Sequence, residues 1–161
     1  MGTLRIRLLK GRDGPDTLAC VRADGSSTWH RLHPSTAMHD LTHYALETTL
    51  GLRDGVFGLI ARGWDLADFE SPAKRAELPA DAIWEEFVVG LLQVEFSDGR
   101  EDGSEEFNAA LAAALRGGGV SAGRVLTGAD LDRARSAVRD LAGQWRAIRP
   151  GEGLDLDLDS V

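Results

Sequence analysis

The chain has 161 residues, of which 43% are hydrophobic and 27% are charged, as expected for one globular domain, residues 1–161, with a sizeable core. Its formal net charge of −8 argues against a nucleic-acid partner, because phosphate backbones are bound through clustered lysine and arginine. The single cysteine, Cys20, excludes a disulfide framework and a cysteine-based zinc site. Because the apolar runs are too short to cross a bilayer and no leader pattern follows Met1, we expect a cytoplasmic protein without a membrane partner.

The first third of the chain begins with predicted strands. Residues 3–10 alternate apolar side chains with arginine, which is the period of a half-buried strand. Residues 17–23 and 27–32 flank an Asp-Gly pair, a strong hairpin signal. A two-residue turn there would place Val21 opposite Thr28.

Helices are predicted for most of the remaining chain. Apolar residues recur at helical spacing in five segments, while residues 71–79 and 117–123 have the composition of connecting loops. The predicted helices cover residues 35–50, 54–62, 79–96, 104–116 and 127–149. The last of them carries an apolar seam that is compatible with a homodimer, although its short length favours packing on the chain's own core.

The two ends of the chain are expected to meet in one sheet. Leucines alternate with aspartates from Leu154 to Asp159, which indicates a final strand or an acidic tail. Beside the first strand, these aspartates would face Arg5 and Arg7. We therefore predict an α+β fold, in which a small antiparallel sheet, made of an N-terminal meander and a C-terminal strand, is covered on one face by about five helices.

The helix predicted from residue 35 to residue 50 carries the functional signal. His39, His43 and Glu47 are each four residues apart, so they line one stripe of that helix. Leu46 and Leu50 fall on the same stripe, and both imidazoles are therefore expected to be largely buried. The stripe has two interpretations. It is either a core helix whose two histidines are hydrogen-bonded to neighbouring groups, or a site that binds a metal or performs acid/base chemistry.

A metal site is the more specific of these interpretations, because it makes predictions about geometry. Imidazoles one turn apart lie about 6 Å from each other along the helix axis, which suits one divalent ion, most simply zinc. Glu47 is about 12 Å along the axis from His39, so one ion would bind all three only with strain. The third ligand is left open among three carboxylates, Glu47, Asp65 and Glu95, and Glu47 is equally a candidate base. Asp40, expected at the mouth of the site, is a second candidate for proton transfer.

The segment HDLTH, residues 39–43, resembles known metal-binding motifs. It is similar to the H-E-x-x-H zinc helix, with Asp40 at the glutamate position. It also resembles the HDxxH metal motif of the coenzyme Q biosynthesis proteins, which implies a glutamate ligand twelve residues after the second histidine, where this chain has Gly55. The longer segment from His39 to Phe96 looks like a group of small bacterial proteins with an HDLxHxxxE helix, and that resemblance implies no reaction.

We predict a metal-dependent enzyme, hydrolytic because a zinc-type site with an acidic neighbour most simply activates water. Its metal ligands are His39, His43 and Glu47, its catalytic residues Asp40 and Glu47, and its substrate a small molecule or a peptide. A metal-free enzyme that uses histidine as general acid and base is one alternative. A non-catalytic domain that binds a small molecule or a protein, with histidines in its core, is the other.

Overall fold

The architecture is a four-stranded antiparallel sheet with its helices on one face, in a computed structural model that describes residues 2–121 and 123–160. The strand order in the sheet is β3-β2-β1-β4. The strands are β1 (Gly2–Leu9), β2 (Thr17–Val21), β3 (Ser27–Arg31) and β4 (Gly153–Ser160). The two termini of the chain thus contribute neighbouring strands, and the helices lie between them in sequence.

Six α-helices and one short 3-10 helix, Leu66–Glu70, occupy the described part of the chain between β3 and β4. The α-helices are α1 (Thr36–Leu50), α2 (Val56–Ala61), α3 (Pro72–Arg75), α4 (Ala80–Asp98), α5 (Ser104–Gly117) and α6 (Gly128–Ala147). The α+β class is confirmed. The short α3 lies in a segment predicted as a loop, and it starts at Pro72 because proline fits the first turn of a helix. None of the described helices has the length and apolar character that a membrane crossing requires.

The predicted pairing of the two terminal strands is confirmed. In the antiparallel register of β1 and β4, Arg7 lies opposite Asp155 and Arg5 opposite Asp157. Arg7 and Asp155 form an ion pair of 3.1 Å on the solvent face, where such a pair contributes roughly 0.2–1 kcal/mol. The inner face of β1 is formed by fully buried aliphatic side chains, and their burial supplies most of the stability of this strand pair.

The hairpin between β2 and β3 forms with a different register from the one predicted. Val21 lies opposite Ser27, because the N–H of Arg22 donates to the carbonyl of Ser26 (2.8 Å) and closes a three-residue loop. Gly25 adopts a φ of 87°, the left-handed conformation that such loops require and that glycine adopts without strain. One additional loop residue shifts every opposite pair in the two strands by one position.

Helix α1 lies at the junction of two apolar clusters. Leu41 and Ala45 belong to the cluster that packs on the sheet, together with α2 and α6. Leu46 belongs to a second cluster, which α4, α5 and α6 form beside the first. The histidine-bearing stripe of α1 consequently faces α4, and the side chains of these two helices build the site.

Candidate metal centre

The two histidines of α1 differ in exposure. His43 is 1% exposed, whereas the side chain of His39 is 33% exposed. The prediction that both imidazoles are largely buried is thus confirmed for His43 and wrong for His39, which lies one turn closer to the start of the helix and to the surface. Their rings meet edge to face, with centroids 4.7 Å apart.

Helix α4 supplies the groups that face these imidazoles. Its buried side, with Trp84 and Val88, packs into the core and fixes the rotation of the helix. This rotation turns Glu85 inward, where it is 0% exposed, and directs Glu86 and Gln93 toward α1. Glu86 and Gln93 are seven residues apart, close to two helical turns, so they lie along the same face.

Two imidazole nitrogens and one carboxylate from these helices surround a small space, which we call the donor triangle. The Nε2 atoms of His39 and His43 are 3.1 Å apart, and His43 Nε2 is 3.2 Å from Glu86 Oε1. His39 Nε2 is 3.6 Å from Glu86 Oε2. Ligands bound to zinc at about 2.0–2.1 Å in a tetrahedral arrangement are about 3.3–3.4 Å from one another. The three side chains are therefore spaced as ligands of one ion.

The outer nitrogen of each imidazole faces an oxygen. His39 Nδ1 is 2.9 Å from Gln93 Oε1, and we assign the proton to Nδ1 because an amide oxygen only accepts. His43 Nδ1 is 3.1 Å from Glu85 Oε1. With both protons on Nδ1, the lone pairs of the two Nε2 atoms point into the triangle. Such outer contacts orient the imidazoles of protein metal sites and fix their tautomers.

Glu47 lies on the other side of His43 and is fully buried. Its Oε1 accepts a hydrogen bond from the N–H of Phe57 and its Oε2 from the N–H of Gly58, both at 2.8 Å. Glu85 Oε2 accepts from the preceding N–H, that of Val56, at 3.1 Å. Two carboxylates thus satisfy the free N–H groups of the first turn of α2.

Gly55 is the position at which the coenzyme Q resemblance implied a ligand. A Cβ at this position would lie 2.5 Å from Glu47 Cδ and 2.8 Å from Glu85 Oε2. Because the two buried carboxylates already fill this space, no side chain fits there.

The carboxylates change the proton affinities of the site. Burial by itself would lower the pKa of His43, but Glu85 and Glu86 outweigh it and hold this pKa well above its ordinary value. Burial, together with the neighbouring Glu85, raises the pKa of Glu47 to about 8, against the opposing effect of its two backbone hydrogen bonds. Burial also raises the pKa of Asp40 to about 6. Because desolvation penalises each charge, this cluster favours binding a cation or a proton.

The remaining candidates lie in different surroundings. Asp40 is half-buried, and its Oδ2 is buried without a hydrogen-bond partner among the described residues. Asp65 forms an ion pair with Arg22 (2.7 Å), and Glu95 forms one with Arg135 (2.7 Å). Neither of these two carboxylates joins the groups of potential ligands found in the described part of the chain, which are His39–His43–Glu86 and His43–Glu47–Glu85.

Sequence reasoning missed the contribution of α4 to the site. Glu85 falls at helical spacing with buried Val88, Val89 and Leu92, and a carboxylate on an apolar stripe is a signal that could have identified it. Glu86 and Gln93 carry no such signal, since both lie outside that stripe. Their role depends on the packing of α4 against α1.

No protein-family model, curated protein or solved structure matched the chain. The resemblances of residues 39–43 and of the longer segment stay predictions.

Proposed function

We propose that this protein is a metal-dependent enzyme, hydrolytic in its chemistry, that binds one divalent ion through His39, His43 and Glu86. The observation that carries the proposal is the donor triangle, in which the two Nε2 atoms are 3.1 Å apart and lie 3.2 and 3.6 Å from the two oxygens of Glu86. Two imidazoles and a carboxylate suit zinc in particular. Glu86 takes the place of the third ligand that the sequence left open.

The charges around the triangle support a cation. The two Nε2 atoms face each other at 3.1 Å, a separation that two lone pairs tolerate only with a proton or a cation between them. Four carboxylates surround the two imidazoles, and a cation bound among them would offset the desolvation of those that are buried. These carboxylates are Asp40, Glu47, Glu85 and Glu86.

One side of the triangle is open to solvent, which supports a catalytic over a structural site. The side chains of His39 and Glu86 are 33% and 47% exposed, whereas that of His43 is 2% exposed. A catalytic zinc keeps one coordination position for water or substrate, while a structural zinc is closed by four protein ligands. The bound ion would supply Lewis acidity for the activation of water.

We assign the surrounding side chains roles in proton transfer and in positioning. Asp40 has a buried oxygen with no partner in the described structure, so this oxygen can accept a proton beside the site. Gln93 holds the imidazole of His39 in the tautomer that binds a metal, while the carboxylate of Glu85 lies 3.1 Å from Nδ1 of His43 and can attract a proton to that nitrogen. Glu47 uses both oxygens to hold α2, and we assign it a positioning role in place of the ligand or base role predicted from the sequence.

Metal content of untagged protein tests this proposal. We expect one equivalent of zinc in the wild type by elemental analysis after dialysis, and loss of that zinc in His39→Ala and in Glu86→Ala. His33→Ala is the matched control, because His33 is exposed and lies outside both groups of potential ligands. Affinity should fall as acid protonates the imidazoles. If the wild type binds none of zinc, iron, manganese and nickel, the proposal is wrong.

A metal-free enzyme that uses His43 as general acid and base is the second candidate. It is favoured by the contacts of His43 with Glu85 (3.1 Å) and Glu86 (3.2 Å), which stabilise an imidazolium. NMR titration of the imidazoles separates the two functions. Added zinc should shift the signals of both His39 and His43 if the metal is bound, and neither of them if the site is metal-free.

A further inference from the structure

A groove lined in part by Glu86 lies beside the donor triangle. It encloses about 440 Å³, which is in the range of small-molecule sites. It is lined by residues of the 3-10 helix, α3, α4 and the loop between α3 and α4, and we name it the Arg75 groove: Phe69, Arg75, Leu78, Ile83, Glu86 and Phe87. Because Glu86 lines the groove and also belongs to the donor triangle, this side chain connects the groove to the proposed metal site.

Most of the lining of the groove is apolar. Phe69, Leu78, Ile83 and Phe87 are all half-buried, so they present hydrocarbon surface to the groove while their other sides pack against the protein. Apolar surface of this kind binds the hydrocarbon part of a ligand by removing it from water. The groove therefore fits a molecule with an aliphatic or aromatic body.

Arg75 is the one cation of the groove lining, and its guanidinium has no ion pair or hydrogen bond within the described residues. Its neighbour Lys74, in contrast, forms an ion pair with Glu77 (3.2 Å) and lies over the ring of Trp64. Arg75 is close enough to Glu86 to help lower the pKa of that carboxyl, but it does not form an ion pair with it. Arg75 is exposed, so its guanidinium is free to bind a carboxylate or phosphate that enters the groove.

From this geometry we infer that the Arg75 groove binds the substrate, and that the substrate is a small molecule with an apolar body and a carboxylate or phosphate group held by Arg75. A guanidinium binds either group through two parallel N–H donors. An anion held there places the adjoining part of the molecule beside Glu86. This inference rests on the proposed function, because it is the metal site that makes the occupant of the groove a substrate.

Calorimetric titration of zinc-loaded, full-length protein with three probes tests the inference. The probes are 4-phenylbutyrate, the neutral 4-phenylbutyramide and phenethyl phosphate. We expect at least one of the anions to bind more tightly than the amide, and the stronger anion identifies the preferred group. Equal affinity for the amide and for both anions would overturn the inference.

Variants of Arg75 distinguish an anion that is bound by this arginine from an anion that binds directly to the metal. Arg75→Gln should weaken binding of the anion by roughly 10-fold to 100-fold, the effect of one charge-assisted hydrogen-bonding pair, and leave binding of the amide unchanged. Arg75→Lys should retain part of the affinity, since it keeps the charge but not the planar fork. Arg116→Gln, at an exposed position at the end of α5, is the control and should bind like the wild type. Unchanged binding of the anion in Arg75→Gln would overturn the inference.

Zinc content, measured on the same samples, distinguishes failure of this inference from failure of the proposed function. If the protein binds zinc but does not discriminate between the anions and the amide, only the groove assignment is wrong. If the protein binds no zinc yet binds an anion through Arg75, the groove assignment is supported and the metal-dependent function is wrong.

Discussion

The side chains just outside the donor triangle influence the orientation of the two imidazoles that we propose as metal ligands. His39 Nδ1 donates a hydrogen bond of 2.9 Å to Gln93 Oε1. His39 is partly exposed, so without this contact its ring is free to rotate and to change tautomer. The second imidazole, that of His43, is restricted by its packing, and its Nδ1 lies 3.1 Å from Glu85 Oε1 without the geometry of a hydrogen bond.

Removing the Gln93 side chain should therefore weaken metal binding without abolishing it. We expect Gln93→Ala to lower zinc affinity by roughly tenfold or more, as is typical for partners that orient a ligating histidine. Competition with a chromogenic chelator measures this change. Gln144→Ala is the matched control, because Gln144 is exposed on α6, away from the site. Identical affinities for the two variants would contradict the role of Gln93.

At the scale of elements, the buried carboxylates connect α1, α2 and α4. Glu47 of α1 and Glu85 of α4 accept the three consecutive N–H groups from Val56 to Gly58, so the start of α2 is held by side chains of the two site helices. Gly55 permits this close approach, since a Cβ there would overlap both carboxylates. The short α2 thus braces the pair of helices that carries the ligands.

Removing the Glu47 side chain should lower the free energy of unfolding strongly while it changes zinc affinity little. Glu47→Ala leaves the buried N–H groups of Phe57 and Gly58 without acceptors and creates a cavity, and we expect the free energy of unfolding to fall by about 2–5 kcal/mol. Thr48→Ala, at the exposed neighbouring position, should change it by about 0.5 kcal/mol or less. Urea denaturation of the metal-free proteins provides the comparison.

Zinc binding to Glu47→Ala shows whether Glu47 is a positioning residue or a metal ligand. If zinc still binds to folded Glu47→Ala with near wild-type affinity, Glu47 is a positioning residue. Loss of zinc from a variant that remains folded would show instead that Glu47 is a ligand, as the sequence pattern predicted.

Strand β4 is stabilised by its leucines more than by its aspartates. We expect Leu154→Ala to lower the free energy of unfolding by about 2–5 kcal/mol, because this leucine is buried against the helices. Asp155→Asn should change it by about 1 kcal/mol or less, since its ion pair with Arg7 is exposed. Thermal or urea unfolding distinguishes these outcomes, and equal effects would contradict this account of the sheet.

At the scale of the whole molecule, local patterns predicted the elements and tertiary packing determined the site. The alternation in β1 and β4 and the helical period of α1 are properties of short segments, and opposite charges on Arg7 and Asp155 indicated which strands pair. The hairpin register was missed because it depends on one loop residue. Glu86 was missed for a different reason, since it approaches His43 only after α4 packs against α1, and no spacing within either helix encodes that contact.

We propose that α1 and α4, which are distant in sequence, form one metal site by packing together. Neither helix provides the proposed ligand set by itself, because the two imidazoles belong to α1 and the carboxylate of Glu86 belongs to α4. A metal bound this way stabilises the folded chain over the unfolded chain, in which the helices are apart.

X-ray absorption at the zinc edge of the zinc-loaded protein tests this claim most directly. The account predicts two imidazole nitrogens and oxygen donors at about 2.0–2.1 Å from the zinc. His43→Ala should remove the zinc, and the exposed-site control His33→Ala should give an unchanged spectrum. A zinc with fewer than two imidazole ligands, or a wild-type protein that retains no zinc, would contradict the account.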